Sequence, residues 1–234
     1  MSTPAGKPSY PIHLDLTGRR VLVVGAGRVA TRKIERLVET PVELRVVALT
    51  ASAPVRKLAG QGRLTLTQRA AVQQDVHGCF MVITATDQTE VNASVAGWAK
   101  AEGALVSRVD APSESDFTVP AFVRGLQVEA TVSTYGEAPS ASRRLKRALQ
   151  AWVESGPDRF ASEVAAVRRA LAGRADSTPR LRQLNEQGLY EACVARDEAR
   201  IDTLVRAASA EPAHVGVAQP KLSPTDSPDP GERT

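Results

Sequence analysis

Apolar residues in the first half of the chain fall in short continuous runs, separated by stretches with helical spacing. The segments "RVLVVGAG", "ELRVVAL", "CFMVITAT" and "ALVSRVD" predict buried strands, and "RLTLTQ" alternates as an edge strand does. Residues 29–39 and 89–101 have the spacing of helices. Because continuous apolar strands are buried on both faces, the pattern predicts an α/β fold with a parallel sheet between helices.

The pattern changes after about residue 112. The segments "FTVPAFVRG" and "LQVEATVST" indicate a β-hairpin, and residues 139–208 are helical in period, with apolar positions at i, i+4, i+7 and i+8 from Leu145. From Glu211 onward Pro, Ser and Asp replace bulky apolar residues, which predicts a disordered tail. The predicted divisions are an α/β domain over 1–112, a hairpin region over 113–155, a helical region over 156–210 and a tail over 211–234.

The hairpin and the helix after it carry more apolar residues than one small lobe covers easily. We therefore expect a homodimer through this region. The residues concerned are Phe117, Val119, Phe122, Leu126, Val128, Leu145 and Leu149.

Cysteine and histidine are too few and too scattered to predict a metal site. The chain has two cysteines and three histidines, namely Cys79, Cys193, His13, His77 and His214. Zinc sites need closer spacing, and two distant cysteines favour the reducing cytoplasm. No apolar run approaches the roughly 20 residues that span a bilayer. The N-terminus also lacks the apolar centre of a signal peptide, so we expect neither export nor a membrane partner.

Positive charge is concentrated between residues 142 and 182, where ten Arg and Lys face four acidic residues for a local net charge of +6. Such a segment attracts polyanions, although a solvated helix face has the same composition. Trp98 and Trp152 occupy apolar helical positions, and the basic segment has few aromatic residues on which bases could stack. We therefore expect no nucleic-acid partner.

A glycine-containing turn joins the first strand to the first helix. Gly25, Gly27 and Ala30 form a G-x-G-x-x-A pattern. In a Rossmann-type fold the first glycine permits a tight turn, the second lets a pyrophosphate approach, and the small third residue allows close helix–sheet contact. Free N–H groups at the helix start also favour a phosphate. The alternative is a tight turn without a ligand.

The acidic residue that commonly holds the ribose of NAD is missing after the second strand. That strand ends in "VVALTAS", without Asp or Glu. Arg56 and Lys57 follow closely and have the charge to meet a 2′-phosphate. Residue chemistry alone therefore leaves both NAD and NADP open.

Four ordered segments resemble the dehydrogenase/ferrochelatase module of siroheme synthases. They are "YPIHLDLTGRRVLVVGAGRVATRK", "VITATDQTEVN", "SRVDAPSESDFTVPA" and "VEATVSTYGEAPSASRRLKRAL". The resemblance is close over roughly residues 10–155 and loose to about 208. It implies a homodimer with an NAD-binding Rossmann domain, a dimerisation region over 113–155 and a helical C-terminal region. The implied activity is NAD-dependent oxidation of precorrin-2 to sirohydrochlorin, with insertion of ferrous iron in bifunctional members.

The resemblance also implies which residues bind the cofactor. Besides Gly25 and Gly27, they are Arg28, Val29, Leu49, Thr50, Thr86 and Asp87. The family manages without the ribose carboxylate, so its absence does not count against NAD. An alternative role for Asp87 is to cap the following helix, and Asn92 in that helix can be structural.

The family's catalytic aspartate falls on Asp110 in "RVDAP". Removal of a hydride from the macrocycle must be accompanied by loss of a proton, which a positioned carboxylate can take. The same carboxylate can accept pyrrole protons as metal enters. The alternative is that Asp110 shapes a turn; Asp116 is a second candidate that we interpret as a loop cap.

Precorrin-2 carries acetate and propionate groups, which gives the basic segment a role. Thr134, Arg143, Arg144 and Arg147, together with Lys146, are the expected substrate contacts. Two departures from the family, Ser107 in place of Asn and Tyr135 in place of Gly, favour dehydrogenase over chelatase activity. A non-catalytic NAD(P)-binding redox sensor is the alternative function, and it predicts cofactor binding without tetrapyrrole turnover.

Overall fold

The computed structural model describes residues 10–134 and 138–210. The predicted tail over 211–234 and Tyr135 lie outside the described residues. Five parallel strands form one sheet in the order β3-β2-β1-β4-β5. They are β1 (Arg20–Val24), β2 (Glu43–Val47), β3 (Thr65–Thr67), β4 (Met81–Thr84) and β5 (Leu105–Arg108). The prediction of a Rossmann-type α/β fold is confirmed. Strands are added to one side of β1 as far as β3, and the chain then crosses to the other side of β1 to form β4 and β5.

Helices cover both faces of this sheet. They are α1 (Arg28–Leu37), α2 (Ala53–Gly60) and α3 (Thr89–Ala101). Successive side chains of β1 point to opposite faces of the sheet. Val21 and Val23 pack in the core with α1 and α2. Leu22 and Val24 pack in the core with α3. Both faces are therefore apolar, as the continuous runs in the sequence predicted.

A hairpin and five helices follow. The hairpin comprises β6 (Ala121–Arg124) and β7 (Glu129–Val132). The helices are α4 (Pro139–Glu154), α5 (Pro157–Ala170), α6 (Ser177–Glu186), α7 (Leu189–Ala195) and α8 (Glu198–Ser209). Among the described residues, no helix is long and apolar enough to cross a membrane.

The chain divides into two compact units. The first comprises the residues up to Val123 together with Ala130–Ala148, and the second comprises Arg124–Glu129 and the residues from Leu149. The second unit has its own apolar core, which includes Val167, Leu171, Leu184, Leu189 and Ile201. The division falls inside both the hairpin and α4, whereas the sequence predicted domain boundaries at 112 and 155.

The turn of the hairpin is held by one carboxylate of α5. Asp158 accepts backbone N–H groups of Leu126, Gln127 and Val128 at 3.0, 2.8 and 3.0 Å. A Cβ at Gly125 would lie 2.4 Å from Asp158 Oδ1, so only glycine fits against this carboxylate. The three N–H donors also hold the pKa of Asp158 below its ordinary value.

The expectation that the apolar residues of this region are uncovered is wrong for two of them. Phe117 packs against the core beneath α1 and α2, and the Phe122 ring lies under the Arg36 guanidinium at 4.8 Å. Val119, Leu126 and Leu145 are exposed, at 41%, 86% and 46%. The sequence could not distinguish the packed from the exposed apolar residues, because the side chains that cover Phe117 and Phe122 are far away in the chain.

Acid should weaken the second unit through Asp176. Its carboxylate lies 3.0 Å from Arg174 Nε and 2.6 Å from Arg180 Nε, and hydrogen bonds from these two arginines lower the pKa of Asp176 from 3.8 to about 2. Since the folded-state pKa is below the unfolded value, this stabilisation is present above about pH 4 and is lost as the pH falls towards 2.

We expect Asp176→Asn to make thermal melting less dependent on pH between 4 and 2, as measured by circular dichroism. Asp202→Asn is the control, since Asp202 makes one long, exposed contact of 3.5 Å with Arg206. A pH dependence of melting in Asp176→Asn equal to that of the wild type would contradict the role of Asp176 in acid destabilisation.

Candidate active site

The glycine-containing turn lies where the strand order reverses. Gly25 follows β1 with φ +107°, a conformation that side chains rarely adopt. A Cβ there would come within 2.5 Å of the carbonyl oxygen of Ala85, which follows β4. Gly25 N–H donates to Val47 O at 2.8 Å. Gly25 therefore lets the carboxyl ends of β1 and β4 come together at the edge of the sheet where ligands bind in this architecture.

Gly27 is the N-cap of α1 and leaves the helix terminus open. Its φ of −74° suits any residue, and a Cβ would meet nothing within 4 Å. No side chain among the described residues caps this terminus. The N–H groups of Arg28 and Val29 begin the helix, where intrahelical acceptors are lacking. An exposed helix start with free space beside it fits the pyrophosphate of a dinucleotide.

The loop after β2 is tied to this turn. Thr31 Oγ1 donates to Gly27 O at 2.9 Å and lies 2.8 Å from Ser52 Oγ, while Ser52 N–H donates to Ala26 O at 3.1 Å. Leu49 and Thr50, two predicted cofactor residues, are exposed in the same loop. The sequence analysis missed Thr31; a hydroxyl four residues after the capping glycine is the signal that could have revealed it.

Of the two basic residues after β2, Arg56 already has a partner. Its guanidinium donates to the carbonyl oxygen of Ala51, directly before the N-cap Ser52 of α2. Lys57 is exposed. A bond to a neutral carbonyl leaves the guanidinium charged and most of its N–H groups free, so Arg56 and Lys57 both keep the charge to meet a 2′-phosphate.

The loop after β4 is held by Asn92 of α3. Asn92 is fully buried; its Oδ1 accepts Thr86 N–H at 3.1 Å and Thr86 Oγ1 at 2.7 Å, and its Nδ2 donates to Thr86 O at 3.1 Å. The structural role for Asn92 is confirmed. Gln88 is the N-cap of α3, so the capping alternative for Asp87 is wrong. Asp87 is exposed at this edge.

Asp110 lies just beyond β5 and is paired with Arg108. Arg108 Nη2 is 2.8 Å from Asp110 Oδ2, and Arg108 Nη1 is 2.6 Å from Glu114 Oε2. The pKa of Asp110 lies below its ordinary value, chiefly because of the hydrogen bond from Arg108, with a smaller contribution from the Asn92 amide.

Asp116 has a structural role, as the sequence indicated. Its Oδ2 accepts Val106 N–H at 2.9 Å, and its own N–H donates to Val106 O at 2.8 Å.

Among the residues that the structure describes, no three His, Cys, Asp or Glu side chains are grouped as metal ligands are. An open recess of about 380 Å³, lined by Arg20, Glu43 and Phe80 among others, lies at the opposite, amino edge of the sheet.

Comparison with protein families and with curated proteins gives three findings. Residues 12–121 match a family described as "Putative NAD(P)-binding". The siroheme synthase of Nitrosococcus oceani is 32% identical over 164 residues, which cover 70% of this chain and 35% of the relative. The siroheme synthase of Pseudomonas aeruginosa is 38% identical over 145 residues, which cover 62% of this chain and 31% of the relative.

Among solved structures, SirC, a precorrin-2 dehydrogenase, matches with a TM-score of 0.69 at 25% identity, over 84% of this chain and 98% of SirC. The resemblance to the siroheme synthase family is confirmed. The chain spans about a third of the length of the curated siroheme synthases that it matches.

The substrate residues expected from the siroheme synthase resemblance lie at the start of α4. Thr134 Oγ1 is 2.7 Å from Ser142 Oγ, which ties the end of the hairpin to this helix. Arg143, Arg144 and Arg147 are exposed. In the described ranges 10–134 and 138–210, no ion pair joins these three arginines to a carboxylate, so their charge is available to a ligand. Among the described residues, no contact brings these arginines to Asp110.

Proposed function

We propose that the protein oxidises precorrin-2 to sirohydrochlorin with NAD, in the biosynthesis of siroheme. The observation that carries the proposal is Asp110, a carboxylate held beside the edge of the sheet where the glycine-containing turn opens. The fold match to SirC supports the same reaction.

Asp110 is the general base of this reaction. The substrate loses a hydride and a proton; NAD, when bound, accepts the hydride. The Asp110 carboxylate takes the proton, and its 23% exposed side chain is accessible to a substrate. Asp110 and the Thr86 loop follow the neighbouring parallel strands β5 and β4, so the base and the cofactor-binding loop lie at the same edge of the sheet.

The exposed arginines of α4 bind the carboxylates of the macrocycle. Arg143, Arg144 and Arg147 recur within two helical turns, and a guanidinium can form two parallel hydrogen bonds with a carboxylate. Thr134 lies beside them through Ser142. Binding should therefore weaken with salt.

NAD is the hydride acceptor that the siroheme synthase resemblance implies, and the charges of Arg56 and Lys57 make NADP the alternative that the test includes. Insertion of ferrous iron is a further reaction that Asp110 can serve, since pyrrole protons must leave as the metal enters. We place the activity in the cytoplasm, where the buried free thiols of Cys79 and Cys193 stay reduced.

The test is to incubate the full chain with precorrin-2 and either NAD or NADP, and to follow the absorbance of sirohydrochlorin. Ferrous or cobaltous ion is then added to supplied sirohydrochlorin in a separate reaction. Turnover with NAD is the expected result. A chain that binds NAD by calorimetry but never oxidises precorrin-2 would instead be the redox sensor.

The protein is expected to be a homodimer. Val119, just before the hairpin, and Leu145 of α4 are large exposed apolar residues of the first unit, which a second copy would cover. Light scattering at micromolar concentration should give twice the chain mass. Leu145→Asp should shift the equilibrium towards monomer, whereas Val72→Asp, at an exposed apolar residue outside this region, should not. A monomeric wild-type chain would contradict the expectation.

A further inference from the structure

Arg108 is a buried cation at the carboxyl end of β5. It is 6% exposed and is the register partner of Thr84, at the end of β4. The neighbouring pair in the same strands, Ser107 and Ile83, projects from the other face of the sheet. A buried guanidinium needs charged or hydrogen-bonding partners, because burial without them is strongly unfavourable.

Its partners all belong to the segment that carries Asp110. Nη2 and Nε contact the two carboxylate oxygens of Asp110 at 2.8 and 3.4 Å, and Nη1 contacts Glu114. The backbone of Arg108 is anchored in the same segment, because its N–H donates to Ser115 Oγ at 2.8 Å and its carbonyl accepts Ser115 Oγ at 3.2 Å. The backbone and the guanidinium of Arg108 are therefore both bonded to the loop over residues 109–115.

A neutral group near the carboxylate comes from α3. The Asn92 amide, which is fixed by Thr86, adds a smaller contribution to the lowered pKa of Asp110. The charged and titratable groups around Asp110 are thus Arg108 and, through Arg108, Glu114, while α3 contributes the neutral Asn92 amide. Asp110 lies in a loop but has contacts on both oxygens, so its direction is set by its neighbours.

We propose that Arg108 is a positioning residue for Asp110: the two-point contact of the guanidinium fixes the direction in which the carboxylate takes the proton. This inference rests on the proposed function, in which Asp110 takes the proton. The competing role is structural, in which Arg108 stabilises the loop and has no influence on the chemistry of Asp110.

The two roles differ in their dependence on pH. Because the pairing lowers the pKa of Asp110, the carboxylate stays ionised to lower pH than an unpaired aspartate does. Removing the guanidinium raises this pKa, so the acidic limb of the kcat/KM profile moves to higher pH. A residue that only stabilised the loop would lower the melting temperature without moving the limb.

The test uses the full chain with Arg108→Gln and Arg108→Lys. The Asp110 carboxyl is titrated by carbon-13 NMR, with its signal assigned by its loss in Asp110→Asn, and kcat/KM is measured against pH. In Arg108→Gln we expect a higher Asp110 pKa, an acidic limb shifted upward, and kcat/KM at neutral pH lowered roughly 10- to 100-fold by misplacement of the base. Arg108→Lys keeps the charge without the two-point contact, so its rate should also fall, with a smaller shift of the limb.

Arg69→Gln is the matched control. Arg69 contacts Asp75 at two points, 2.7 and 2.6 Å, in the same compact unit but outside the candidate site. Its removal should leave the limb and the Asp110 titration unchanged.

An Asp110 pKa in Arg108→Gln equal to that of the wild type would overturn the inference. If Arg108→Gln does not fold, a wild-type rate and limb in Arg108→Lys would overturn it. If the wild-type chain does not oxidise precorrin-2, the proposed function fails, whereas the NMR titration still decides whether Arg108 controls the ionisation of Asp110.

Discussion

Replacing Asp110 with asparagine is expected to lower precorrin-2 oxidation by roughly 10²- to 10⁴-fold, with NAD affinity nearly intact. Asparagine keeps the size of the side chain and can accept one N–H from Arg108, but it has no basicity. The loss should therefore appear in kcat, since substrate and cofactor still bind. Steady-state kinetics give the rate, and calorimetry gives the affinity for NAD.

Asp116→Asn is the control for this variant, since Asp116 accepts the Val106 N–H and fastens the same loop to β5. It should lose some stability but keep its turnover. Full oxidation by Asp110→Asn would remove the general-base role. If Asp110→Asn loses oxidation but still inserts iron into supplied sirohydrochlorin, chelation relies on other groups.

Replacing Gly27 with aspartate is expected to abolish binding of NAD without harming the fold. The backbone at Gly27 suits any residue, and a Cβ there meets nothing within 4 Å. Aspartate is also a favourable N-cap, so the free energy of unfolding should not fall. Its carboxylate would, however, occupy the phosphate position. Like charges about 4 Å apart repel by about 4 kcal/mol near a protein surface, which corresponds to a loss of roughly a thousand-fold in affinity.

Two glycine variants separate charge from shape at this turn. Gly27→Ala adds a Cβ without charge and should reduce NAD affinity far less than Gly27→Asp. Gly25→Ala forces a side chain into φ +107° and against the Ala85 carbonyl at 2.5 Å, so it should destabilise the fold by about 1–3 kcal/mol. NAD affinity by calorimetry and stability by denaturant unfolding should therefore fall together only in Gly25→Ala. Unchanged affinity in Gly27→Asp would refute the assignment of the turn.

Arg108 shows what the sequence analysis overlooked. It lies two residues before Asp110, and residues two apart in a strand share a face, so the spacing alone could have suggested the pair. The segment "ALVSRVD" was interpreted as a buried strand, and that interpretation assigned no role to its arginine. Only the packed structure showed that Arg108 is buried and joined to both Asp110 and Glu114.

The sequence by itself determined the α/β class, the glycine-containing turn and the place of Asp110 after a buried strand. These features follow from side-chain periodicity and from backbone conformation, which neighbouring residues encode. Tertiary structure alone decided that Asn92 fixes the Thr86 loop, that Asp158 holds a hairpin turn about 30 residues earlier, and that Phe117 is covered. Such pairings depend on which surfaces meet when the elements pack, and the local pattern of a single sequence does not carry that information.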